Sequence, residues 1–253
     1  MKFALPLVEA RLIKRYKRFL ADMEIPGESG VGESGAALVT VHCPNPGSMM
    51  GLAAPGSRCW LMPKIGTKLP YCWELVESHA CGVTQAPGIT ALVGINTGRA
   101  NAIVAEGLAA GVFPNLPAAA VTREVTVGPG SIHGSRLDFR LTDAEGRPCW
   151  VEVKSVTLSR HAGIAEFPDA KTDRGSRHLA ELAALAQAGQ RAVLLFLVQR
   201  SDCREVRIAA DIDPTYAAAM TQARTQGVEI RAFSCGISPL GIDAGAEMAF
   251  IHG

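Results

Sequence analysis

Two alternating segments between residues 135 and 157 constrain the fold of this chain most. In the first segment Leu137, Phe139 and Leu141 alternate with polar neighbours, which is the period of a half-buried strand. Residues 149–156, Cys-Trp-Val-Glu-Val-Lys-Ser-Val, read as a second strand, and residues 143–146, Asp-Ala-Glu-Gly, have turn chemistry. The sequence therefore predicts a β-hairpin with two unlike faces.

The hairpin carries three charged residues that can act together. Residues two apart on a strand share a face, so Glu152 and Lys154 are neighbours. If the strands pair so that Asp138 lies beside Glu152, two carboxylates converge, and Mg²⁺ or Mn²⁺ is the cation that such oxygen ligands suit. Asp…Glu-x-Lys is the arrangement of metal-dependent phosphodiester cleavage, in which the lysine orients or deprotonates a water. Glu-x-Lys is expected about once by chance in a chain this long, so an amphipathic hairpin with surface charges is the alternative.

The composition excludes several classes of protein. A net charge of +1 over 253 residues is not that of a polycation, so any affinity for nucleic acid must come from a local patch. The seven cysteines include no Cys-x-x-Cys pair, which predicts neither a zinc site nor a disulfide framework and favours a cytoplasmic location. The first ten residues lack the apolar core of a signal peptide, and the longest apolar run, 192–198, is too short to span a membrane.

Residues 11–20, RLIKRYKRFL, form a dense basic patch that carries aromatic side chains. Through Leu20 the chain has six basic residues against Glu9 alone, whereas the remainder is net acidic. Such a patch suits a phosphate backbone and stacked bases. An edge strand protected by charge is the alternative. The nucleic-acid-binding candidates of this segment are Arg11, Lys14, Arg15, Tyr16, Lys17 and Arg18.

The pattern of predicted elements divides the chain into two domains, 1–85 and 86–253. Short strands separated by Pro/Gly turns predict a small barrel up to residue 85, and residues 85–88 are a plausible linker. Helices then alternate with strands, and a wholly apolar run at 192–198 predicts an interior strand of an α/β domain. A final strand is expected at 228–233.

A helix predicted over residues 173–188 has a positive face. Arg174 and His178 are four residues apart and share that face, and Thr172 is expected to cap the helix. A substrate phosphate fits such a face, although a solvated surface helix is the alternative. Dinucleotide-binding, Walker-type, serine-hydrolase and zinc-peptidase motifs are absent from the sequence.

Short motifs run in order along nearly the whole chain: KRYKRFLAD (14–22), HCPN (42–45), WEL (73–75), NT (96–97), SRLDF (135–139), EVKSVTL (152–158), FPDA (167–170), RG (174–175), HL (178–179) and GQRA (189–192). Together they resemble the sugar fermentation stimulation protein (SfsA) family. The resemblance implies an N-terminal OB-fold β-barrel followed by a PD-(D/E)xK nuclease-like mixed-sheet α/β domain. It also implies binding of DNA without strong sequence preference and a role in regulating sugar (maltose) metabolism.

Carried over by position, the resemblance makes Asp138 the metal-binding aspartate, Glu152 the second acid and Lys154 the catalytic lysine. Glu106 would supply an acid from the first helix, and Glu124 is a rival for that part. Pro46 departs from the Thr expected in the 44–47 turn, and residues 27–35 look inserted. A metal-dependent nuclease and a non-catalytic DNA-binding regulator both remain open, as do RNA as the nucleic acid and an oligomeric state. A small sugar or nucleotide bound between the domains is a third possibility.

Overall fold

The first domain is a five-stranded barrel. The computed structural model describes residues 1–27, 37–79, 90–127, 134 and 136–251. Its first strands are β1 (Val8–Tyr16), β2 (Leu20–Ile25), β3 (Ala37–His42), β4 (Arg58–Pro63), β5 (Tyr71–His79) and β6 (Thr90–Gly94). They pair in the order β3-β2-β1-β4-β5-β6, and a parallel pairing of β3 with β5 closes the first five into a barrel.

The barrel has this form because one face of each strand is apolar. Inward-facing side chains such as Leu12, Met23, Val41 and Trp73 are buried together inside it. Closure removes the exposed edges that an open sheet of this size would leave. The basic segment of the sequence becomes strand β1 and the turn that follows it. The predicted OB-type barrel is confirmed.

The second domain is built on a mixed six-stranded sheet in the order β15-β14-β12-β9-β8-β7. A 3₁₀ turn (Thr97–Arg99) leads into α1 (Ala100–Ala109). The strands of this sheet are β7 (Ala120–Thr126), β8 (Arg136–Thr142), β9 (Pro148–Val156), β12 (Arg191–Val198), β14 (Glu229–Ser238) and β15 (Gly241–Glu247). The predicted hairpin is β8–β9, which pair antiparallel, and β12 runs parallel to both β9 and β14.

A smaller sheet completes the domain in the order β10-β11-β13-β16. Its strands are β10 (Leu158–His161), β11 (Ile164–Phe167), β13 (Glu205–Ile208) and β16 (Ala249–Ile251), and the remaining helices are α2 (Asp173–Gln187) and α3 (Pro214–Thr225). The strand predicted at 228–233 is β14, whereas β13, β15 and β16 were not predicted from the sequence.

Both faces of the main sheet are covered. Alternate residues of β12 point to opposite faces, so Leu195 packs with the α1 side and Leu194 with the α2 and α3 side. This explains why β12 is apolar throughout, as the sequence analysis predicted. Thr172 caps α2, and its hydroxyl accepts a hydrogen bond of 3.0 Å from the Gly175 amide, as expected.

The two domains share main-chain and apolar contacts. Barrel residues Trp60 and Leu75 belong to the same buried cluster as α1. The predicted linker 85–88 lies outside the described residues. Strand β6, which follows it, pairs with β5 of the barrel sheet, and its Gly94 amide donates to the Gln199 carbonyl of the second domain (2.9 Å). Strand β6 thus contacts both domains through its backbone, and the boundary at residue 85 stays a prediction.

No helix among the described residues combines the length and the apolar character needed to cross a bilayer.

Candidate functional site

The site begins where strands β8 and β9 separate. Their pairing runs from Thr142 and Pro148 to Phe139 and Val151 and stops there. The amide of Val153 is left without its β8 partner, and it donates instead to Asp138 Oδ2 (2.8 Å). The Asn101 side chain on α1 donates to Asp138 Oδ1 at 2.7 Å. Asp138 is therefore fixed from two sides at the point where the hairpin opens.

Glu152 lies next to Asp138 and is 3% exposed. Its Oε1 accepts from Lys154 Nζ at 2.6 Å and makes a short hydrogen bond with His178 Nδ1. Its Oε2 is buried and has no hydrogen-bond partner among the described residues. A buried carboxylate oxygen without a partner is costly, and a ligand at that position would satisfy it.

The two carboxyl groups differ in acidity. Burial and the neighbouring negative charge of Glu152 raise the pKa of Asp138 to about 6, against the opposing hydrogen bonds from Val153 and Asn101. Burial also acts to raise the pKa of Glu152, but His178 and Lys154 outweigh it and hold that pKa below its ordinary value. Glu152 is thus the fixed anion of the pair, and Asp138 bears the repulsion between them.

His178 does not lie on a free positive face of α2, as the sequence analysis expected. It is 5% exposed and is turned toward Glu152. Its Nε2 accepts from Arg174 Nε at 3.4 Å, so the hydrogen-bond network assigns the proton to Nδ1, which donates to Glu152. The prediction that His178 contacts nucleic acid is therefore corrected. The four-residue spacing of Arg174 and His178 shows that they share a helix face, but it does not show that this face is buried against Glu152.

The carboxylates line a cavity of about 510 Å³ between the two domains. The barrel contributes Arg18, Asn45 and Gly47, and the second domain contributes residues from α1, β9 and the start of α2. The basic side chains that line it are those of Arg18, Lys154, Lys171 and Arg174. Two further acids, Glu166 and Asp169, line the cavity away from the hairpin, so charge of both signs is arranged around one space.

The predicted basic residues of β1 differ in what they contact. The Arg15 guanidinium donates to the carbonyls of Arg18, Asn45, Gly47 and Ser48 at 2.9–3.2 Å. The Tyr16 hydroxyl donates to Asp22, whose carboxylate also lies 3.5 Å from Lys14 Nζ. Arg11 donates to the Gly56 carbonyl (3.1 Å) and remains exposed, as do Lys17 and Arg18. Of this group Arg18 lines the cavity, whereas Arg15 is engaged with the barrel itself.

Glu106 does not reach the cavity, so its assignment to the metal site is corrected. Its carboxylate is exposed and lies 2.8 Å from the amino group of Met1. Asn101 is the α1 residue that faces Asp138, and five residues along a helix turn a side chain well away from that direction. Asn101 was not predicted as a site residue, because its side chain is neutral and its position in the sequence does not indicate that it faces Asp138.

Glu124, the rival acid, lies across from Asp138 on β7, between two residues that pair with Phe139 and Leu137. Its Oε1 is 3.5 Å from Asn101 Nδ2, and its Oε2 is 2.9 Å from Arg136 Nε. Glu124 is therefore at the margin of the site and half exposed. In the described part of the chain, no three His, Cys, Asp or Glu side chains are grouped closely enough to hold a metal ion by themselves.

Comparison with known proteins identifies the family. Residues 98–241 match the family described as "Sugar fermentation stimulation protein RE domain", and residues 13–84 match the "SfsA N-terminal OB domain". The chain belongs to the sugar fermentation stimulation protein family. The two matched regions correspond to the second domain and to the barrel described above, so the two-domain fold predicted from the family's motifs is confirmed.

Relatives within the SfsA family are similar over nearly their whole length. A sugar fermentation stimulation protein homolog from Azorhizobium caulinodans is 48% identical over 246 residues, 96% of either chain. A homolog from Ruegeria sp. is 48% identical over 248 residues, 97% of this chain and 98% of the relative. The structure of Pyrococcus furiosus SfsA in complex with Ca²⁺ matches with a TM-score of 0.81 and 25% identity, covering 100% of this chain and 98% of that one.

Proposed function

We propose that this protein is a Mg²⁺- or Mn²⁺-dependent phosphodiesterase that cleaves nucleic acid held between its two domains. The observation that carries the proposal is that Glu152, whose buried Oε2 has no hydrogen-bond partner in the described part of the chain, lines the interdomain cavity together with Asp138. The alternative from sequence, an amphipathic hairpin with surface charges, does not account for an acid buried as deeply as Glu152.

The donor set fits a hard divalent cation. Mg²⁺ and Mn²⁺ prefer carboxylate and other oxygen ligands, and both acids are among the residues that line the cavity. A cation between them would also relieve the repulsion that raises the pKa of Asp138. That P. furiosus SfsA was solved with Ca²⁺, another oxygen-seeking divalent ion, supports the same reading.

Around such an ion the chain's own residues have separate tasks. Asp138 and Glu152 would hold the cation, which supplies charge stabilisation to the phosphate under attack. Lys154, 13% exposed and fixed by Glu152, places an ammonium at the cavity wall where it can orient a water. His178 and Asn101 fix the orientation of the two acids.

The cations around the cavity suit a polyanionic substrate. Arg18 on the barrel and Lys171 and Arg174 on the second domain face the same space. Contacts of this kind neutralise backbone phosphates without reading base sequence, which agrees with DNA or RNA bound with little sequence preference. The link to sugar metabolism stays a prediction of the family resemblance.

Labelled single-stranded and duplex DNA and RNA, incubated with and without Mn²⁺, provide the test. Wild-type protein is expected to cleave only with the metal, and Glu152→Gln to reduce the rate by about 100-fold or more while nucleic acid still binds. Two acid-to-amide controls, Glu145→Gln at the exposed hairpin turn and Glu106→Gln, are expected to cleave as wild type does.

Two results would contradict the proposal. If Glu106→Gln and Glu152→Gln lower the rate equally, the cavity is not where the reaction occurs. If wild-type protein binds nucleic acid but cleaves none with either metal, the non-catalytic DNA-binding regulator is favoured instead.

A further inference from the structure

The turn between β1 and β2 exposes two cations and an aromatic ring in succession. Lys17, Arg18 and Phe19 are all exposed, and Phe19 is 44% exposed despite its apolar ring. An exposed phenyl ring beside two cations is the combination that binds single-stranded nucleic acid, because every base has a face that can stack.

This turn is held rigidly by the barrel. Lys17 and Arg18 have φ angles of 46° and 62°, a region that residues other than glycine enter at a cost of the order of 1–3 kcal/mol each. Arg15 keeps the turn in place by donating to the Arg18 carbonyl and to the 45–48 segment, and the Cys43 amide donates to the Phe19 carbonyl at 2.9 Å. Strained backbone of this kind persists where the surroundings fix it, and it is common at ligand-binding sites.

The turn also lies at the cavity that contains the acids. Arg18 lines the same space as Asp138 and Glu152. That space is about 510 Å³, within the range of pockets for small ligands, so it admits a nucleotide or two rather than a base-paired duplex. Because Glu152 is only 3% exposed, a phosphate that reaches it must leave the surface and enter the cavity.

From these observations we propose that the Lys17–Phe19 turn guides unpaired nucleic acid into the cavity. Arg18 holds a backbone phosphate and Phe19 stacks on a base next to it. The substrate class is therefore single-stranded DNA or RNA, or the unpaired end of a duplex. This inference rests on the proposed function of the cavity but names a contact, Phe19, and a strandedness that the proposed function leaves open.

A binding experiment in EDTA tests the turn without any cleavage. The probe is a single-stranded DNA oligomer containing 2-aminopurine, whose fluorescence falls when the base is stacked, compared with the same sequence as a duplex. Phe19→Leu keeps an apolar side chain but removes the ring, whereas Phe19→Tyr keeps the ring. We expect Phe19→Leu to bind the single strand about 5- to 100-fold more weakly with less quenching, and Phe19→Tyr to bind as wild type does.

Arg18 has a separate readout in the same assay. Replacing it by glutamine is expected to reduce the slope of log affinity against log salt by about 0.7, the value for one phosphate contact on a single strand. Ile65→Ala, which changes another exposed apolar side chain of the barrel (91% exposed), is expected to leave both affinity and slope unchanged.

Equal affinities of the Leu and Tyr variants for the single strand would overturn the proposal, and so would a duplex bound as tightly as the single strand. If the ring-dependent binding is found but no metal supports cleavage, the turn proposal stands and the phosphodiesterase proposal fails. If cleavage is found but is fastest on fully paired duplex and insensitive to Phe19, the phosphodiesterase stands and the turn proposal fails.

Discussion

Asp138 and Glu152 show how neighbouring acids acquire different properties from their surroundings. Glu152 receives hydrogen bonds from a lysine and a histidine, and these lower its pKa in spite of its burial. Asp138 receives hydrogen bonds from neutral donors only, so its burial and the facing charge of Glu152 raise its pKa to about 6. Of these two acids, Asp138 is therefore the one that takes up or loses a proton near pH 6.

We expect binding of Mn²⁺ to weaken as the pH falls through 6. Above that pH Asp138 is ionised and available to the cation, whereas below it the cation must displace a proton. Titration calorimetry in two buffers of different ionisation enthalpy measures this: about one proton released per ion near pH 5, and close to none near pH 8. The same affinity and the same proton release at both values would contradict the assignment.

The sequence was sufficient for residues whose direction is fixed by strand geometry. Glu152 and Lys154 share a face because successive strand residues alternate, and the hairpin turn indicated that Asp138 would be near them. The sequence was not sufficient to predict the side-chain directions of Glu106, Asn101 and His178, which lie on helices. Which side of a helix meets the sheet depends on tertiary packing, and α1 is apolar on several sides and gives little indication of it.

At the scale of elements, strand β1 and its turn act as one unit. The charged residues of this segment all suggested contacts with phosphate, yet Arg15 is used to hold the turn from which Arg18 and Phe19 project. A planar guanidinium with several donors in fixed directions can satisfy several carbonyls at once, and an ammonium cannot.

Arg15→Lys therefore separates the two roles of this residue, because it keeps the charge. We expect a loss of about 2 kcal/mol in the free energy of unfolding, together with weaker binding of single-stranded DNA. Urea unfolding and fluorescence anisotropy measure the two effects. Arg11→Lys, on the same strand with one carbonyl contact at an exposed site, is the matched control and is expected to change neither appreciably. If Arg15→Lys leaves both quantities unchanged, Arg15 is a plain phosphate contact.

Elements with strong periodicity were predicted from the sequence, and elements without it were missed. Strands β8, β9 and β12 alternate or are wholly apolar, and α2, which ends at Gln187, is followed two residues later by Gly189. In contrast, β15 reads Gly-Ile-Asp-Ala-Gly-Ala-Glu, a composition with low strand propensity, and β13 and β16 are three or four residues long. Strands β13 and β16 pair with strands that are distant in sequence, and β15 pairs with the preceding strand β14, so pairing rather than composition determines that they form strands.

At the scale of the whole molecule, a buried ion pair joins the domains. Glu74 on β5 has no exposed side-chain surface, and both its oxygens accept from the Arg99 guanidinium at 2.7 and 3.0 Å. The Asn96 side chain adds a third hydrogen bond at 3.0 Å. Since Arg99 directly precedes α1, this pair holds the barrel against the helix that carries Asn101.

We expect Arg99→Ala to cost about 3 kcal/mol in the free energy of unfolding, because it leaves the Glu74 carboxylate buried with one weak partner. Arg58→Ala, which removes the exposed pair with Glu9, is the control and should cost less than about 1 kcal/mol. Urea denaturation at pH 7 compares them. Similar losses of unfolding free energy for the two variants would show that the contact between the domains does not depend on the Glu74–Arg99 pair.

Strand β6 joins the barrel to the second domain through backbone atoms, with β5 on one side and residues 199–201 on the other. All amino acids except proline offer the same amide and carbonyl groups. Sequence drift at the exposed Thr90 can therefore leave the width of the interdomain gap unchanged, whereas the buried Ala91, Val93 and Gly94 are also constrained by packing.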